Sequence, residues 1–248
     1  FVEILAQVNT SSNFTSIAWT KYGENSEESK YGFIVGGHQD GTLSLWDITL
    51  ILNNRDNIPK VNFGLACSKK MLNSGINSIK FNQKPNLFAC GAKEITLVSI
   101  HVQGNERFLK AEIECPSQDI GIISSMSWNE QVPYILAAGS TVGNVYIWDM
   151  KKNSLHMSIC DPNLSNDDEY RMKAAVPTYV TWMNDGFNFL MSYDHPDYQF
   201  MIQYDVRQAT APCGDFHGGH NKSIISIATN PQDEKYVLNT LKSIVGKD

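Results

Sequence analysis

Few residues of this 248-residue chain are spaced for chemistry. His217 and His220 are close enough to share a metal, but no Cys or third His is nearby, and no Cys-x-x-Cys occurs. A structural zinc takes four such ligands, so no metal site is expected. Asp194-His195, followed by Pro196-Asp197, resembles half of a hydrolytic triad. No Gly-x-Ser-x-Gly elbow supplies the nucleophile, and the stretch reads as a turn at a sheet's rim. Gly246-Lys247 is followed by Asp248 instead of Ser or Thr, so it is no phosphate-binding loop. No catalytic residue and no cofactor are expected.

Composition narrows the classes further. Charged residues make up only 19% of the chain and the net charge is −6, with no basic stripe of the kind that tracks phosphates. Nucleic acid is therefore not an expected partner. No apolar run reaches the roughly 18 residues of a membrane span. The five cysteines, Cys67, Cys90, Cys115, Cys160 and Cys213, are odd in number and widely separated. They read as free thiols of a reducing compartment, with Cys90 buried in an apolar run. Asn-x-Ser/Thr sequons at Asn9, Asn13, Asn163 and Asn221 are expected by chance in a chain this rich in Asn and Ser.

The elements that hold these residues repeat. Gly41-Thr42-Leu43-Ser44-Leu45-Trp46-Asp47 returns as Gly143-Asn144-Val145-Tyr146-Ile147-Trp148-Asp149. Each copy is an alternating strand after a turn glycine. Weaker copies close on Val98-Ser99 and Tyr204-Asp205, giving a period of about 50 residues. An earlier strand recurs with its aromatic at Trp19, Phe81, Trp128 and Trp182, and with Thr229 in a fifth copy. The repetition places these tryptophans in the core. Between the two strands lie Phe33-Ile34-Val35-Gly36-Gly37, Leu87-Phe88-Ala89-Cys90-Gly91 and Ile135-Leu136-Ala137-Ala138-Gly139. Such short apolar runs suit strands buried on both faces, with small residues where neighbours approach. Helical patterns are nearly absent. Polar stretches such as 24–30, 53–57 and 163–169 read as surface loops.

A strand pair that recurs at this period needs stacked neighbours to bury its faces. The expected fold is all-β, a WD40-type β-propeller of four-stranded blades. Residues 1–248 read as part of a single propeller domain, about four to five blades of a seven-bladed ring, truncated at the C-terminal end and also at the N-terminal end. The expected blade signature is Asp40, Trp46, Asp47, Trp148, Asp149, Asp205, His220 and Asp248. Asp40 precedes Trp46 at the spacing where a turn Asp meets a loop His, a strand Ser/Thr and the Trp in a buried tetrad. Asp248 is placed to do the same with His220. The first unit lacks a clear Gly-His and the third has Val142 at the Asp position, so the tetrads are expected to be incomplete. Tyr170 and Tyr198, outside the repeat, are candidate partner contacts, and the run Asp167-Asp168-Glu169 a solvated loop.

Several stretches together resemble the amino-terminal WD-repeat propeller of the large outer-coat subunit of COPII, the coat that forms vesicles at the endoplasmic reticulum. They are Ile17-Ala18-Trp19 with the charged insertion after it, and Ile34-Val35-Gly36-Gly37 with Asp40-Gly41. They continue with Ile123 to Val132 running into Ile135-Leu136-Ala137, then Asp205-Val206-Arg207 followed by Ala209 and Pro212. The last is Gly219-His220 with Ile224 to Ile227, ending at Gly246-Lys247-Asp248. Val98-Ser99 and Thr229 depart from the pattern. The resemblance implies a cytoplasmic scaffold, peripheral on the endoplasmic reticulum membrane and on COPII-coated vesicles, without enzymatic activity. It implies pairing with a smaller WD-repeat outer-coat partner and contacts with other copies of itself at cage vertices. Inner-coat components would be reached through regions outside this chain, without direct membrane insertion. The alternative reading is another WD-repeat adaptor, of the ubiquitin-ligase or chromatin-receptor type.

Overall fold

The structure is a computed structural model that describes residues 4–22, 29–56, 61–104, 106–115, 120–160, 176–194, 201–208, 211–216, 224–230 and 237–241. Alternating apolar residues between turn glycines fold into four antiparallel sheets of four strands each, with strands in sequence order, and a further two-stranded hairpin. The chain divides into two compact units, Phe1–Glu114 and Cys115–Asp248.

The first unit holds two blades. Blade 1 comprises β1 (Ser16–Thr20), β2 (Phe33–Gly37), β3 (Thr42–Asp47) and β4 (Leu65–Lys70). Blade 2 comprises β5 (Ser78–Phe81), β6 (Leu87–Gly91), β7 (Ile95–Gln103) and β8 (Glu106–Glu114). One face of blade 1, with Phe33, Val35, Leu43 and Leu45, packs on Ile79, Phe81, Phe88, Cys90 and Val98 of blade 2. Gly37 permits the close approach: a Cβ there would stand 2.7 Å from the Ile76 side chain. A short helix, α1 (Ile48–Asn53), follows β3 where the sequence suggested only loop. Asp47 starts it, its carboxylate accepting the N–H groups of Thr49 and Leu50.

The second unit holds blade 3, of β9 (Ile123–Trp128), β10 (Ile135–Ser140), β11 (Val145–Asp149) and β12 (Ser154–Ile159). Blade 4 comprises β13 (Val176–Trp182), β14 (Asn188–Asp194), β15 (Met201–Asp205) and β16 (Gly214–Phe216), and the hairpin is β17 (Ile224–Thr229) with β18 (Val237–Leu241). Trp182, Phe189 and Tyr204 of blade 4 pack on Ala137, Val145 and Ile147 of blade 3. On the other side Leu190 and Met201 meet Ile224 and Ile227 of the hairpin.

The strand registers superimpose the repeat. Trp19–Ile34–Trp46, Phe81–Phe88–Val98, Trp128–Leu136–Trp148 and Trp182–Phe189–Tyr204 are equivalent cross-strand rows. Val98 thus occupies the tryptophan slot of the second blade, and Thr229 pairs with Val237 in the hairpin's row. Gly41 and Gly143, the turn glycines of the doubled phrase, both have positive φ, +85° and +95°. At Gly41 a Cβ would lie 2.1 Å from the Leu72 carbonyl oxygen, so only glycine fits.

Candidate functional site

Two sets of side chains could carry function in such a fold: the polar groups that fix the blade corners, and the groups exposed on the rims. At the first corner Trp46 Nε1 donates to Ser44 Oγ at 3.1 Å, and Ser44 Oγ lies 2.8 Å from His38 Nε2. His38 Nδ1 stands 3.0 Å from the carbonyl oxygen of Asn13. A carbonyl only accepts, so the ring proton sits on Nδ1 and Ser44 donates to Nε2. The result is a relay from Trp46 through Ser44 and His38 to the backbone before β1, all three side chains being buried. Phe14 closes it, its ring 5.0 Å from His38 and edge-on to Trp46 at 6.3 Å.

This corrects the expectation for Asp40. Its carboxylate is exposed on the turn, accepting from Thr42 N and Thr42 Oγ1, each at 2.9 Å. Those bonds hold its carboxyl below the ordinary value. Asp40 shapes the turn, and His38 does the buried work. The sequence carried a signal: Gly37-His38 is the Gly-His pair thought to be missing, at the end of β2 instead of before β1. The Trp46 indole and the Ser44 hydroxyl, two residues apart on β3, share the face that His38 approaches.

The third blade has Tyr146 where the first has Ser44. Trp148 is kept and is 1% exposed, but its indole Nε1 finds no acceptor among the described residues. There the tryptophan packs without a relay. The aspartates of the Trp-Asp phrases have one shared task. Asp149 accepts from Lys151 N and Lys152 N, and Asp205 from Arg207 N, as Asp47 does at α1. Each caps the turn after its strand. Asp205 also takes the Arg207 guanidinium, at 2.6 Å to Nη2, and that bond holds its carboxyl down at about 2. In blade 2 Ser99 stands at this position and donates to Glu112 Oε1 at 2.6 Å, which lowers the Glu112 pKa.

Trp19 is the second correction. Trp128 and Trp182 are buried as expected, at 8% and 4% exposure, but Trp19 is 57% exposed beside Ile17 at 58%. Blade 2 receives cover for its equivalent face from blade 1. Blade 1 has no such cover among the described residues of its unit. Instead residues of the segment before β1 cross it, leaving an open apolar groove of about 520 Å³ lined by Leu5, Val8, Phe14, Ile17, Ile34 and Trp46. His220 and Asp248, the remaining signature residues, lie outside the described residues, as do His195, His217, Tyr170, Tyr198 and the run 167–169.

Cys67, Cys90, Cys115 and Cys213 are free thiols. Burial pushes the Cys90 and Cys115 thiols up, Cys115 to about 12, so neither is a nucleophile near neutrality. Among the described residues there is no group of three or more His, Cys, Asp or Glu that could hold a metal, and no helix is long and apolar enough to cross a membrane.

Four-stranded blades with Trp-Asp turns and a His–Ser–Trp corner define a WD-type β-propeller. The solved structures agree on the fold. A chain of the COPII outer-coat vertex on membranes aligns with a TM-score of 0.68 at 18% identity, over 96% of this chain and 58% of that one. The β-propeller domain of Cps50 (Swd1) from Myceliophteria thermophila aligns with a TM-score of 0.65 at 12% identity, over 95% of this chain and 64% of that one. No protein-family profile matches the chain. Sequence relatives are specific. The protein transport protein SEC31 of Dictyostelium discoideum is 27% identical over 243 residues, 94% of this chain and 17% of that protein. Sec31B of Mus musculus is 26% identical over 239 residues, covering 95% and 19%, and sec31 of Aspergillus terreus 27% over 240, covering 96% and 17%. The chain is similar in sequence to these Sec31 transport proteins over 94–96% of its own length and spans under a fifth of theirs.

Proposed function

We propose that this chain is the propeller module of a COPII outer-coat subunit, a structural scaffold in protein transport that makes contacts at the vertices of the coat. The observation that carries the reading is homology running through 94–96% of the chain, irregular second blade included. It is not a chance match to one generic repeat. The chemistry is compatible with it. The corner relay of blade 1 and the aspartate caps after β3, β11 and β15 fix strands and turns, which makes a rigid platform for loops. On this reading residues 1–248 belong to one WD-repeat propeller, with further blades supplied by the same polypeptide. The signature residues, His220 and Asp248 among them, are structural. Its partners are a smaller WD-repeat outer-coat subunit, other copies of itself at vertices, and inner-coat components reached through other regions. It is cytoplasmic and peripheral on the endoplasmic reticulum and on coated vesicles. A net charge of −6 disfavours direct binding to an anionic leaflet, so recruitment runs through other coat subunits, and weak contacts gain strength by multivalency.

The test is cellular. The full-length protein, fluorescently tagged, is expected at endoplasmic reticulum exit sites, and its depletion is expected to hold secretory cargo in the endoplasmic reticulum. A nuclear distribution, with cargo export unaffected by depletion, contradicts the proposal.

A further inference from the structure

Ser154 opens β12, the outermost strand of blade 3, directly after the turn at 150–153. It is exposed, as are Lys151, Lys152 and Asn153 before it. Its hydroxyl makes no hydrogen bond among the described residues. Nor does the blade require a hydroxyl in this row. Blade 1 has Gly64 there, its carbonyl accepting from Asp47 N, and blade 2 has Lys110 opposite Ser99. A structural role does not account for the serine.

The residues around it form a pattern that occurs once. Lys151 and Lys152 stand three and two positions before Ser154, and Leu155 one after it; no other Ser or Thr of the chain has a basic residue at both of those preceding positions. Both lysines are accessible. Lys152 meets Asp149 at 3.6 Å with 76% of its side chain exposed, a kind of pair worth little in water. Lys151 lies over the Tyr134 ring at 5.8 Å. The strand end is also easy to open. Among the described strands β12 pairs with β11 alone. A bulge skips His156, so that only Leu155–Trp148 and Ser154–Asp149 remain paired beyond it. Edge pairs beyond a bulge open at low cost, and the opened segment presents two cations just ahead of a free hydroxyl.

We propose that Ser154 is a phosphate-acceptor site for a protein kinase that reads two basic residues through acidic subsites beside its catalytic centre. Charge patterns of this kind are how such enzymes choose their substrates. Ser154 Oγ attacks the γ-phosphorus of ATP. The Oγ–P bond forms as the bond from that phosphorus to the β–γ bridging oxygen breaks, ADP leaves, and the hydroxyl proton passes to the kinase's catalytic carboxylate. Asp149, Lys151 and Lys152 together carry one positive charge, and a phosphate of about −2 reverses the sign. Lys152 is placed to exchange Asp149 for the phosphate, while the Asp149 bonds to Lys151 N and Lys152 N hold the turn. Ser154 is thus a charge switch on an exposed turn, whether or not the chain works in a coat.

The test incubates the full-length protein, native and heat-denatured, with ATP and the catalytic subunit of cAMP-dependent protein kinase, an enzyme of this specificity. Peptide mass spectrometry maps the phosphate. Ser154 is expected to be modified in the native protein, and its phosphopeptide to vanish in Ser154→Ala. The initial rate at Ser154 should fall about tenfold or more in the double variant Lys151→Gln, Lys152→Gln. A rate indifferent to the lysines overturns the proposal. Modification of the denatured protein alone also overturns it, because the fold then hides the serine, and so does the absence of phosphate at Ser154 in both forms.

Discussion

Removing one hydroxyl, with Ser44→Ala, tests the corner of blade 1. Ser44 is 4% exposed and serves two buried partners, Trp46 Nε1 at 3.1 Å and His38 Nε2 at 2.8 Å. The alanine leaves an indole donor and an imidazole acceptor without protein partners. Each buried polar group so stranded costs about 1–3 kcal/mol. His38 retains its Nδ1 bond to Asn13, and its 8% exposure allows partial access to water, so its share falls at the low end. The expected loss is roughly 2–4 kcal/mol, large against a total stability of about 5–15 kcal/mol. For a chain of this size that is a fall in melting temperature of roughly 5–15 °C. Urea unfolding followed by tryptophan fluorescence measures it, with an unchanged m-value required for a clean comparison. A double-mutant cycle with His38→Ala isolates the coupling, expected at about 0.5–3 kcal/mol. A Ser44→Ala loss below about 0.5 kcal/mol, or the absence of coupling, refutes the relay.

The other expectations use the same contrast between blades. Trp46→Phe should destabilise by about 1 kcal/mol more than Trp148→Phe, because Trp46 loses a bonded indole N–H and Trp148 an unbonded one; urea midpoints compare the two. Gly36→Ala would place a Cβ 2.3 Å from the Phe14 ring; it should cost about 1–3 kcal/mol by overpacking, and the cost should shrink in a Phe14→Ala background. The Asp205 carboxyl, held at about 2 chiefly by the Arg207 guanidinium, is lower folded than unfolded. Its contribution is present above the ordinary carboxylate value and lost as pH falls through about 2. A carboxyl NMR titration should give that midpoint, and Arg207→Gln should return it towards the ordinary range; a wild-type midpoint near 4 contradicts the pairing.

Much of the fold was legible because a repeat constrains more than propensity does. Trp46 and Trp148, two units apart, fall in equivalent cross-strand rows; Val98 fills their slot in blade 2, and Thr229 fills the first-strand slot held elsewhere by Trp128 and Trp182. Positive φ at Gly41 and Gly143 was implicit in their place between two strands. Trp19 was misread because burial depends on what lies against a face, and one strand's sequence does not record its neighbour. Asp40 was misread because an aspartate two residues before a threonine satisfies itself locally with that residue's N–H and hydroxyl. Local bonds form without the entropy cost of closing a long loop, and His38 was left to reach Ser44. Helix α1 was hidden by its brevity: six residues are too few to show a period.

The place of this chain in the coat is best measured by cryo-electron tomography of the full-length protein assembled on vesicles with the remaining coat subunits, with a density label fused beside residue 1. A polyhedral outer lattice is expected, with the label and the propeller density of this chain at its vertices. A lattice that carries the label along its edges, or vesicles left without an outer lattice, would contradict it.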